Sequence, residues 1–234
     1  MGARPLAIIS GVGAGTGAAL VRRFAAGGYA VAMLARSRGV IDALAGEVEH
    51  AHAFACDVGD EAQLHFTLGA IDSAFGAAEV LVHNAVNGSL GSFMEIKPSS
   101  LQRNFSVNTM ALLHLARHVA PAMIAAGKGT IIATGNTASL RGKKNFAGFA
   151  PTKAAARILL ESIARELGPK GVHVAYLLID GVIDHDWTRK LKPDAPDEFF
   201  VAPRAIAEEA FHLTQQDRSA WSFLTEIRPH GETW

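Results

Sequence analysis

Short apolar runs alternate with longer amphipathic stretches along the whole chain, and this alternation restricts the possible folds more than any other feature. Seven runs have the length and composition of β-strands, at residues 6–10, 29–34, 52–55, 80–83, 130–133, 173–178 and 222–227. Six stretches have helical periodicity, at about residues 15–26, 40–49, 61–75, 99–126, 148–167 and 203–213. Early runs such as Leu6-Ala7-Ile8-Ile9 are continuously apolar, which is typical of parallel strands covered on both faces. The pattern therefore predicts an α/β protein with a doubly wound, largely parallel seven-stranded sheet flanked by helices.

The 234 residues are predicted to form one domain spanning 1–234, because a chain of this length can bury enough apolar surface for a single core. Its 22 basic and 22 acidic residues cancel, which disfavours nucleic acid as a partner. The single cysteine, Cys56, excludes an internal disulfide framework and suits a reducing compartment. No apolar run reaches the roughly 18 residues of a membrane span, and we expect no secretory leader before Leu6. The expected protein is cytoplasmic and has no membrane partner.

Two predicted helix starts and one long connection carry local signals. Asp60 with Gln63, and Ser99 with Gln102, have the spacing of a helix capping box. Residues 179–202 contain no clear periodic run and exceed the usual length of a loop. We therefore predict an irregular, lid-like segment there.

A glycine-rich loop follows the first predicted strand, with the sequence Ser10-Gly11-Val12-Gly13-Ala14-Gly15-Thr16-Gly17. Glycines allow a tight turn and let backbone N–H groups approach a pyrophosphate at the N-terminus of the next helix. In this place after a strand, the loop predicts a Rossmann-type nucleotide-binding fold. Two alternatives remain open from the loop alone: a tight turn without a ligand, and the loop of a methyltransferase that holds another adenosine cofactor.

The loop resembles the Thr-Gly-x-x-x-Gly-x-Gly element of the short-chain dehydrogenase/reductase family, with Ser10 in place of Thr. Further family landmarks follow in order: Cys56-Asp57-Val58, His83-Asn84-Ala85-Val86, Asn108 and Lys153. In that family the Asp after the third strand contacts the adenine of the cofactor. The resemblance implies that the cofactor is held by Ser10, Gly11, Gly13, Gly15, Thr16, Gly17, Arg36, Asp57, Val58, Asn84, Ala85, Lys153, Gly181 and Ile183.

The end of the second strand indicates which nicotinamide cofactor is preferred. An enzyme that uses NAD normally has an acidic residue there, which accepts hydrogen bonds from the ribose hydroxyls. This chain has Ala35 in that place, followed by Arg36 and then Arg38. No carboxylate repels a 2′-phosphate, and a guanidinium can hold one by charge-assisted hydrogen bonds. NADP(H) is therefore favoured over NAD(H), and the missing acid also argues against a methyltransferase. The alternative for Arg36 is a solvated loop charge.

The catalytic residues that the resemblance implies are only partly present. Family members reduce a carbonyl by hydride transfer. A Tyr donates the proton, a Lys assists that Tyr and binds the nicotinamide ribose, a Ser holds the oxyanion, and an Asn supports a relay water. Lys153 and Asn108 match two of these positions, whereas Phe149 stands in the Tyr position and Asn136 in the Ser position. Phe149 has no proton to exchange, but an Asn amide can still donate to an oxyanion. We therefore predict a degenerate catalytic site made of these four residues.

A few further residues carry groups that are capable of catalysis or metal binding. Tyr29 and Tyr176 lie in predicted strands and are not expected to replace the missing Tyr. His185 in the lid-like segment is a candidate acid because imidazole titrates near neutral pH, and the alternative is a polar lid without chemistry. His114 and His118 are four residues apart, yet no acidic residue lies between them as in a zinc protease motif. No metal site is therefore predicted.

Together these residues predict an NADP(H)-binding oxidoreductase that acts weakly, or on an unusual small carbonyl or alcohol substrate. The alternative is a non-catalytic NADP(H)-binding sensor or scaffold protein. The family resemblance also implies a homodimer or homotetramer, formed through the helices predicted at 99–126 and 148–167.

Overall fold

The computed structural model describes residues 4–231, and within that range nine strands alternate with eight α-helices. The strands are β1 (Leu6–Ser10), β2 (Ala30–Ala35), β3 (Ala51–Ala55), β4 (Ala78–His83), β5 (Thr130–Asn136), β6 (His173–Ile179), β7 (Val182–Ile183), β8 (Phe200–Val201) and β9 (Leu224–Ile227). The helices are α1 (Thr16–Ala26), α2 (Arg38–Glu47), α3 (Glu61–Phe75), α4 (Pro98–Phe105), α5 (Ala111–Ala126), α6 (Ala150–Leu167), α7 (Asp186–Leu191) and α8 (Pro203–Gln215). The seven predicted strands are all present, with bounds that differ by a few residues at most.

Seven strands form one sheet in the order β3-β2-β1-β4-β5-β6-β9. β1 pairs with β2 on one side and with β4 on the other, so that Ile8 lies between Ala32 and Leu81. The strand order changes direction between β1 and β4, which places a crevice outside the carboxyl ends of these two strands. The predicted doubly wound, seven-stranded α/β fold is confirmed, and every neighbouring pair in this sheet is parallel.

The sheet is buried on both faces, which explains why its strands are continuously apolar. In β1, Leu6 and Ile8 pack into the core formed with α3, α5 and α6. Ala7 and Ile9 pack into the opposite core, formed with α1, α2 and α8. Each large apolar side chain buried in this way contributes about 1.5–3 kcal/mol to stability. No helix within residues 4–231 has the length and apolar composition needed to cross a membrane.

The stretch predicted as one helix over 99–126 is interrupted. One π-helical turn at Ser106–Met110 separates α4 from α5. The prediction that Ser99 caps this stretch is wrong, because α4 begins one residue earlier, at Pro98, with Lys97 in the capping position. Proline suits the first helical position, since it lacks the N–H that needs a partner there.

Residues 179–202 do not form the irregular segment that the sequence predicted. β7 and β8 pair in parallel as a small second sheet, with α7 between them in the chain. The Arg189 guanidinium donates to Asp184 over 2.7 and 2.9 Å and to Asp197 over 2.6 Å, and it lies 4.1 Å from the ring centroid of Phe200. The prediction failed because these contacts join residues that local periodicity does not relate. Residues 179–202 are called the lid segment below.

Candidate active site

The glycine-rich loop turns the chain sharply between β1 and α1. Gly11 has a φ of +81°, and a Cβ atom there would overlap the backbone of Ala85. A Cβ at Gly17 would lie 2.6 Å from the Cα of Val12, so both positions exclude a side chain. At Gly13, by contrast, no atom lies within 4 Å of a Cβ built on the backbone. The loop therefore leaves its backbone accessible at the N-terminus of α1, where the helix dipole favours an anion.

A cavity of about 440 Å³ is lined by this loop and by the chain that follows β2, β3 and β4. It brings together most of the residues that the sequence predicts to hold a cofactor: Gly11, Gly13, Gly15, Thr16, Gly17, Arg36, Asp57, Val58, Asn84, Ala85 and Ile183. Ser10, Lys153 and Gly181 do not line this cavity. Thr188 of α7 does line it, although no sequence motif argues for that residue.

Ser10 is the last residue of β1, and its hydroxyl lies 2.9 Å from Nδ1 of His83 at the end of β4. Both residues are buried. Burial and the nearby Lys153 charge lower the pKa of His83 to about 3. The backbone of Val107 and Asn108 has the opposite, smaller effect, because it favours the protonated ring. Ser10 is thus hydrogen-bonded to the buried, neutral imidazole of His83.

The lid segment borders one side of the cavity. A Cβ at Gly181 would lie 2.7 Å from Cδ of Pro229, so this glycine permits close packing of the segment. The Cδ2 of His185 lies 3.0 Å from the place that a Cβ of Gly15 would occupy. Nδ1 of His185 accepts a 3.4 Å hydrogen bond from the N–H of Trp187 and caps α7. His185 therefore lies against the glycine-rich loop, in the wall of the cavity.

The chain after β2 forms the part of the cavity where the sequence predicts a 2′-phosphate. Ala35 and Arg36 both line it. Arg36 is exposed, and among residues 4–231 it has no ion-pair partner within 4.0 Å. Arg38 is instead bound to Asp42 by hydrogen bonds of 3.0 and 3.1 Å. Of the two arginines, Arg36 is the one that forms no side-chain hydrogen bond or ion pair among residues 4–231, although its charge helps to lower the pKa of Asp57.

Asp57 is fixed by its neighbours. Its Oδ1 accepts a 3.0 Å hydrogen bond from the N–H of Gly59, and its Oδ2 is paired with the guanidinium of Arg103 in α4. Burial raises the pKa of Asp57, but these two donors lower it, and the net pKa lies below the usual value. Only half of the predicted capping box forms: Asp60 accepts the N–H of Gln63 over 3.0 Å, whereas the Gln63 side chain accepts the N–H of Asp57.

Lys153 lies on α6 with its side chain directed into the interior. Its Nζ donates a 3.0 Å hydrogen bond to the backbone carbonyl of Thr134 in β5. The residue is 5% exposed, and burial lowers the pKa of its ammonium to about 8. No carboxylate among the described residues forms an ion pair with it. A cation this poorly solvated favours a ligand that brings further oxygen acceptors.

Phe149 and Asn136 lie at the ends of the elements that carry Lys153 and Thr134. Phe149 caps the N-terminus of α6, one helical turn before Lys153, and a Cβ at Gly88 would lie 3.1 Å from its ring. Asn136 ends β5, and its Oδ1 accepts a 3.1 Å hydrogen bond from the N–H of Ala138. Phe149 therefore presents an apolar ring next to Gly88, while the amide hydrogens of Asn136 remain able to donate.

Two buried asparagines, Asn104 and Asn108, hold the chain at Asn87. Oδ1 of Asn108 accepts the N–H of Asn87 over 2.9 Å, and its Nδ2 donates over 2.8 Å to both the Asn87 carbonyl and the Thr152 hydroxyl. Oδ1 of Asn104 accepts from the Asn87 side chain over 2.7 Å, and its Nδ2 donates to the Gly148 carbonyl over 2.6 Å. The Asn108 side chain therefore positions the chain after β4. Sequence reasoning missed Asn104, for which the four-residue spacing from Asn108 is the only signal.

Neither tyrosine lines the 440 Å³ cavity. Tyr176 is fully buried in β6, and a Cβ at Gly135 would collide with its hydroxyl. Burial raises the pKa of Tyr176. Tyr29 packs its ring edge-on against Phe24 and Phe211, on the far side of the sheet from α6. Their positions are consistent with the expectation that neither replaces the missing Tyr.

Comparison with known proteins places these features in a family. The short chain dehydrogenase profile matches residues 5–195. L-xylulose reductase from Bos taurus is 31% identical over 169 residues, which cover 72% of this chain and 68% of that protein. The crystal structure of a short-chain dehydrogenase from Rhodopseudomonas palustris is 32% identical, with a TM-score of 0.82 over 97% of this chain and 99% of that one. A metagenomic short-chain oxidoreductase in complex with NADP is 26% identical, with a TM-score of 0.81 over 97% of this chain and 98% of that one. This chain belongs to the short-chain dehydrogenase family of oxidoreductases.

Proposed function

We propose that this protein binds NADP(H) and is an oxidoreductase whose proton-transfer apparatus is degenerate. The observation that carries the proposal is the shape of the glycine-rich loop: Gly11 and Gly17 admit no side chain, and Gly13 faces open space. Such an accessible backbone at the N-terminus of α1 fits a pyrophosphate. The similar metagenomic oxidoreductase is in complex with NADP, which supports the same class of ligand.

The preference for NADP(H) rests on the end of β2. Ala35 supplies no carboxylate to accept hydrogen bonds from a ribose diol, and Arg36 lines the cavity without an ion-pair partner among residues 4–231. An exposed guanidinium is suited to a phosphate, which it can bind in a bidentate manner. Arg36 is therefore the residue proposed to select the 2′-phosphate.

Lys153 is proposed to bind the cofactor and Asn136 to polarise a substrate carbonyl, but neither they nor Phe149 protonate that carbonyl efficiently. A bound reduced nicotinamide supplies a hydride to a carbonyl carbon. Lys153 offers an ammonium to ribose hydroxyls, and Asn136 offers amide hydrogens to an oxygen that gains negative charge. Phe149 has no exchangeable proton, so a general acid worth about 10²–10⁴ in rate is missing from its position. We therefore expect weak activity on ordinary ketones and alcohols.

The substrate class proposed is a small carbonyl or alcohol, in keeping with the name of the relative L-xylulose reductase. Calorimetric titration with NADPH and NADH tests cofactor binding, and NADPH consumption in the presence of L-xylulose, simple ketones and aldehydes tests turnover. Tighter binding of NADPH together with slow turnover is the expected result. Binding without any turnover would favour the non-catalytic sensor or scaffold, and failure to bind either nucleotide would contradict the proposal.

A homodimer or homotetramer is proposed as the assembly. Met110 immediately before α5 and Ile158 on α6 are apolar but 43% and 51% exposed. Both lie within the stretches 99–126 and 148–167, through which the family resemblance implies subunit contacts. Light scattering on the purified protein should give the mass of two or four chains. A mass of one chain at all concentrations would contradict this assembly.

A further inference from the structure

Away from the candidate active site, three side chains with metal-binding atoms converge between α3 and α5. Oε1 of Glu61 lies 3.7 Å from Nε2 of His65 and 3.6 Å from Nδ1 of His114. One ligand atom of each residue lies within 4.8 Å of the other two. Within residues 4–231 this is the only group of three or more His, Cys, Asp or Glu side chains that meets this spacing.

Helix geometry accounts for the convergence. Glu61 and His65 are four residues apart at the start of α3, and this spacing puts both side chains on one helix face. His114 belongs to α5, which packs against α3. The two imidazole rings are inclined by 77°, with centroids 5.6 Å apart, so they meet edge to face and do not stack. His114 is partly buried and the other two residues are exposed, which leaves the cluster open to solvent on one side.

Hydrogen bonding does not explain this arrangement. At 3.6 and 3.7 Å, neither imidazole nitrogen lies within hydrogen-bond distance of the Glu61 carboxylate, although both approach the same oxygen. Two imidazole nitrogens thus approach one carboxylate oxygen without a hydrogen bond to it, at a spacing that three ligands of one cation could have. A single cation would satisfy all three side chains at once.

We propose that Glu61, His65 and His114 bind one Zn²⁺ ion. Zinc bonds nitrogen at about 2.0–2.1 Å and carboxylate oxygen at about 2.0–2.2 Å, so ligand atoms in a tetrahedral site lie roughly 3.3–3.5 Å apart. The distances of 3.6 and 3.7 Å from Glu61 are close to that spacing, and all three ligand atoms lie within 4.8 Å of one another. Two imidazoles with one carboxylate form a donor set that suits zinc better than Ca²⁺ or Mg²⁺, which prefer oxygen ligands. Water would complete the fourth position.

A second pair of side chains between α3 and α5 provides a control for the proposed site. Nε2 of His118 lies 3.0 Å from Oδ2 of Asp72, one turn further along α5 from His114. This pair does not belong to the cluster of three. The sequence spacing relates His114 to His118, whereas the structure places it with His65 and Glu61. Variants at positions 114 and 118 therefore distinguish binding at the proposed site from unspecific binding of metals by histidines between α3 and α5.

Calorimetric titration of the tag-free protein with ZnCl₂, after removal of metals by a chelator, tests the proposal. The expected result is one Zn²⁺ per chain. His65→Ala and His114→Ala should each weaken binding by more than about tenfold, since even outer-shell changes often cost that much. His118→Ala, and His212→Ala at an exposed position of α8, should leave the affinity unchanged. Co²⁺ should give the visible absorption of a tetrahedral site in the wild type but not in His114→Ala.

A second readout guards against variants that are merely misfolded. Zn²⁺ bound only by the folded chain raises the unfolding temperature, so the wild type should gain stability from zinc while a folded His114→Ala variant should not. Circular dichroism establishes that each variant is folded before titration. The proposal is overturned if the wild type does not bind Zn²⁺ at micromolar concentrations. It is equally overturned if His118→Ala weakens binding as much as His114→Ala does.

Discussion

The ammonium of Lys153 donates a 3.0 Å hydrogen bond to the backbone carbonyl of Thr134, which joins α6 to β5 in the interior of the protein. The side chain is 5% exposed, and burial lowers its pKa from 10.5 to about 8. A cation held in this way without an acidic partner among the described residues destabilises the fold at neutral pH. Such a group is more typical of a functional site than of a packing position.

Replacing Lys153 with Met should stabilise the protein at pH 7, because the charged form is buried in the folded state and solvated in the unfolded state. The pKa difference corresponds to a gain of about 3 kcal/mol in the free energy of unfolding. Loss of the hydrogen bond to Thr134 reduces this gain by about 1 kcal/mol. Urea unfolding of both proteins gives the comparison.

The pH dependence gives the sign of this effect independently. Between about pH 8 and 10.5 the unfolded chain binds more protons at Lys153 than the folded chain, so the wild type gains stability as pH rises through that window. The advantage of Lys153→Met should therefore shrink between pH 7 and pH 10. A difference that stays constant over this range would show that the buried charge is not its cause.

Arg36→Ala should reduce the preference for NADPH over NADH. A charge-assisted contact to the 2′-phosphate is worth about 1.5–3 kcal/mol, or roughly 10- to 150-fold in affinity. Arg38→Ala is the matched control, because Arg38 is already bound to Asp42. Equal losses in the two variants, or a wild type that binds NADH as tightly as NADPH, would count against the assignment of Arg36.

His83 should make the protein sensitive to acid. Its pKa falls from 6.5 in the unfolded chain to about 3 in the folded chain, so the unfolded state binds more protons below pH 6.5. Stability is then lost at about 1.4 kcal/mol per pH unit between pH 6.5 and 3 from this group alone. Unfolding measured from pH 7 to pH 4 should show a shallower loss for His83→Asn. The same slope in both proteins would show that another group controls the acid transition.

The lid segment should become more protected from hydrogen exchange when NADPH binds. Ile183, His185 and Thr188 line the cavity, so a bound nucleotide would contact this segment. Peptides from the second half of α3, which contributes no residue to the cavity, serve as the reference. No change in the lid segment at saturating NADPH would mean that it does not respond to the cofactor.

The strands and most helices could be predicted because their burial depends on local pattern. Leu6 to Ile9 are apolar because both faces of β1 are covered, and this is visible in the sequence. The π-helical turn at Ser106–Met110 could not be predicted in the same way. The buried Asn104 and Asn108 flank its start and bind Asn87, a partner distant in sequence.

In the candidate active site, too, some features follow from local sequence and others depend on partners that are distant in sequence. The glycine-rich loop and Arg36 are close in sequence to the strands that precede them, so their place in the cavity follows from the order of elements. The pairing of Asp57 with Arg103 joins residues 46 positions apart, and no local pattern predicts it. The order of the lid segment likewise depends on Arg189, which binds two acids on either side of it.

We expect this protein to bind NADP(H) although it has no efficient proton donor. The decisive measurement is NADPH-dependent carbonyl reduction, on one substrate panel, by the wild type and by the double variant Phe149→Tyr with Asn136→Ser. Both proteins should bind NADPH equally well, because neither Phe149 nor Asn136 is among the residues proposed to hold the cofactor, and neither lines the cavity. The double variant should be faster by up to about 10²–10⁴, the usual contribution of a general acid. Equal rates in two proteins that both bind NADPH, or a wild type that already reduces simple carbonyls rapidly, would show that Phe149 and Asn136 do not limit proton transfer.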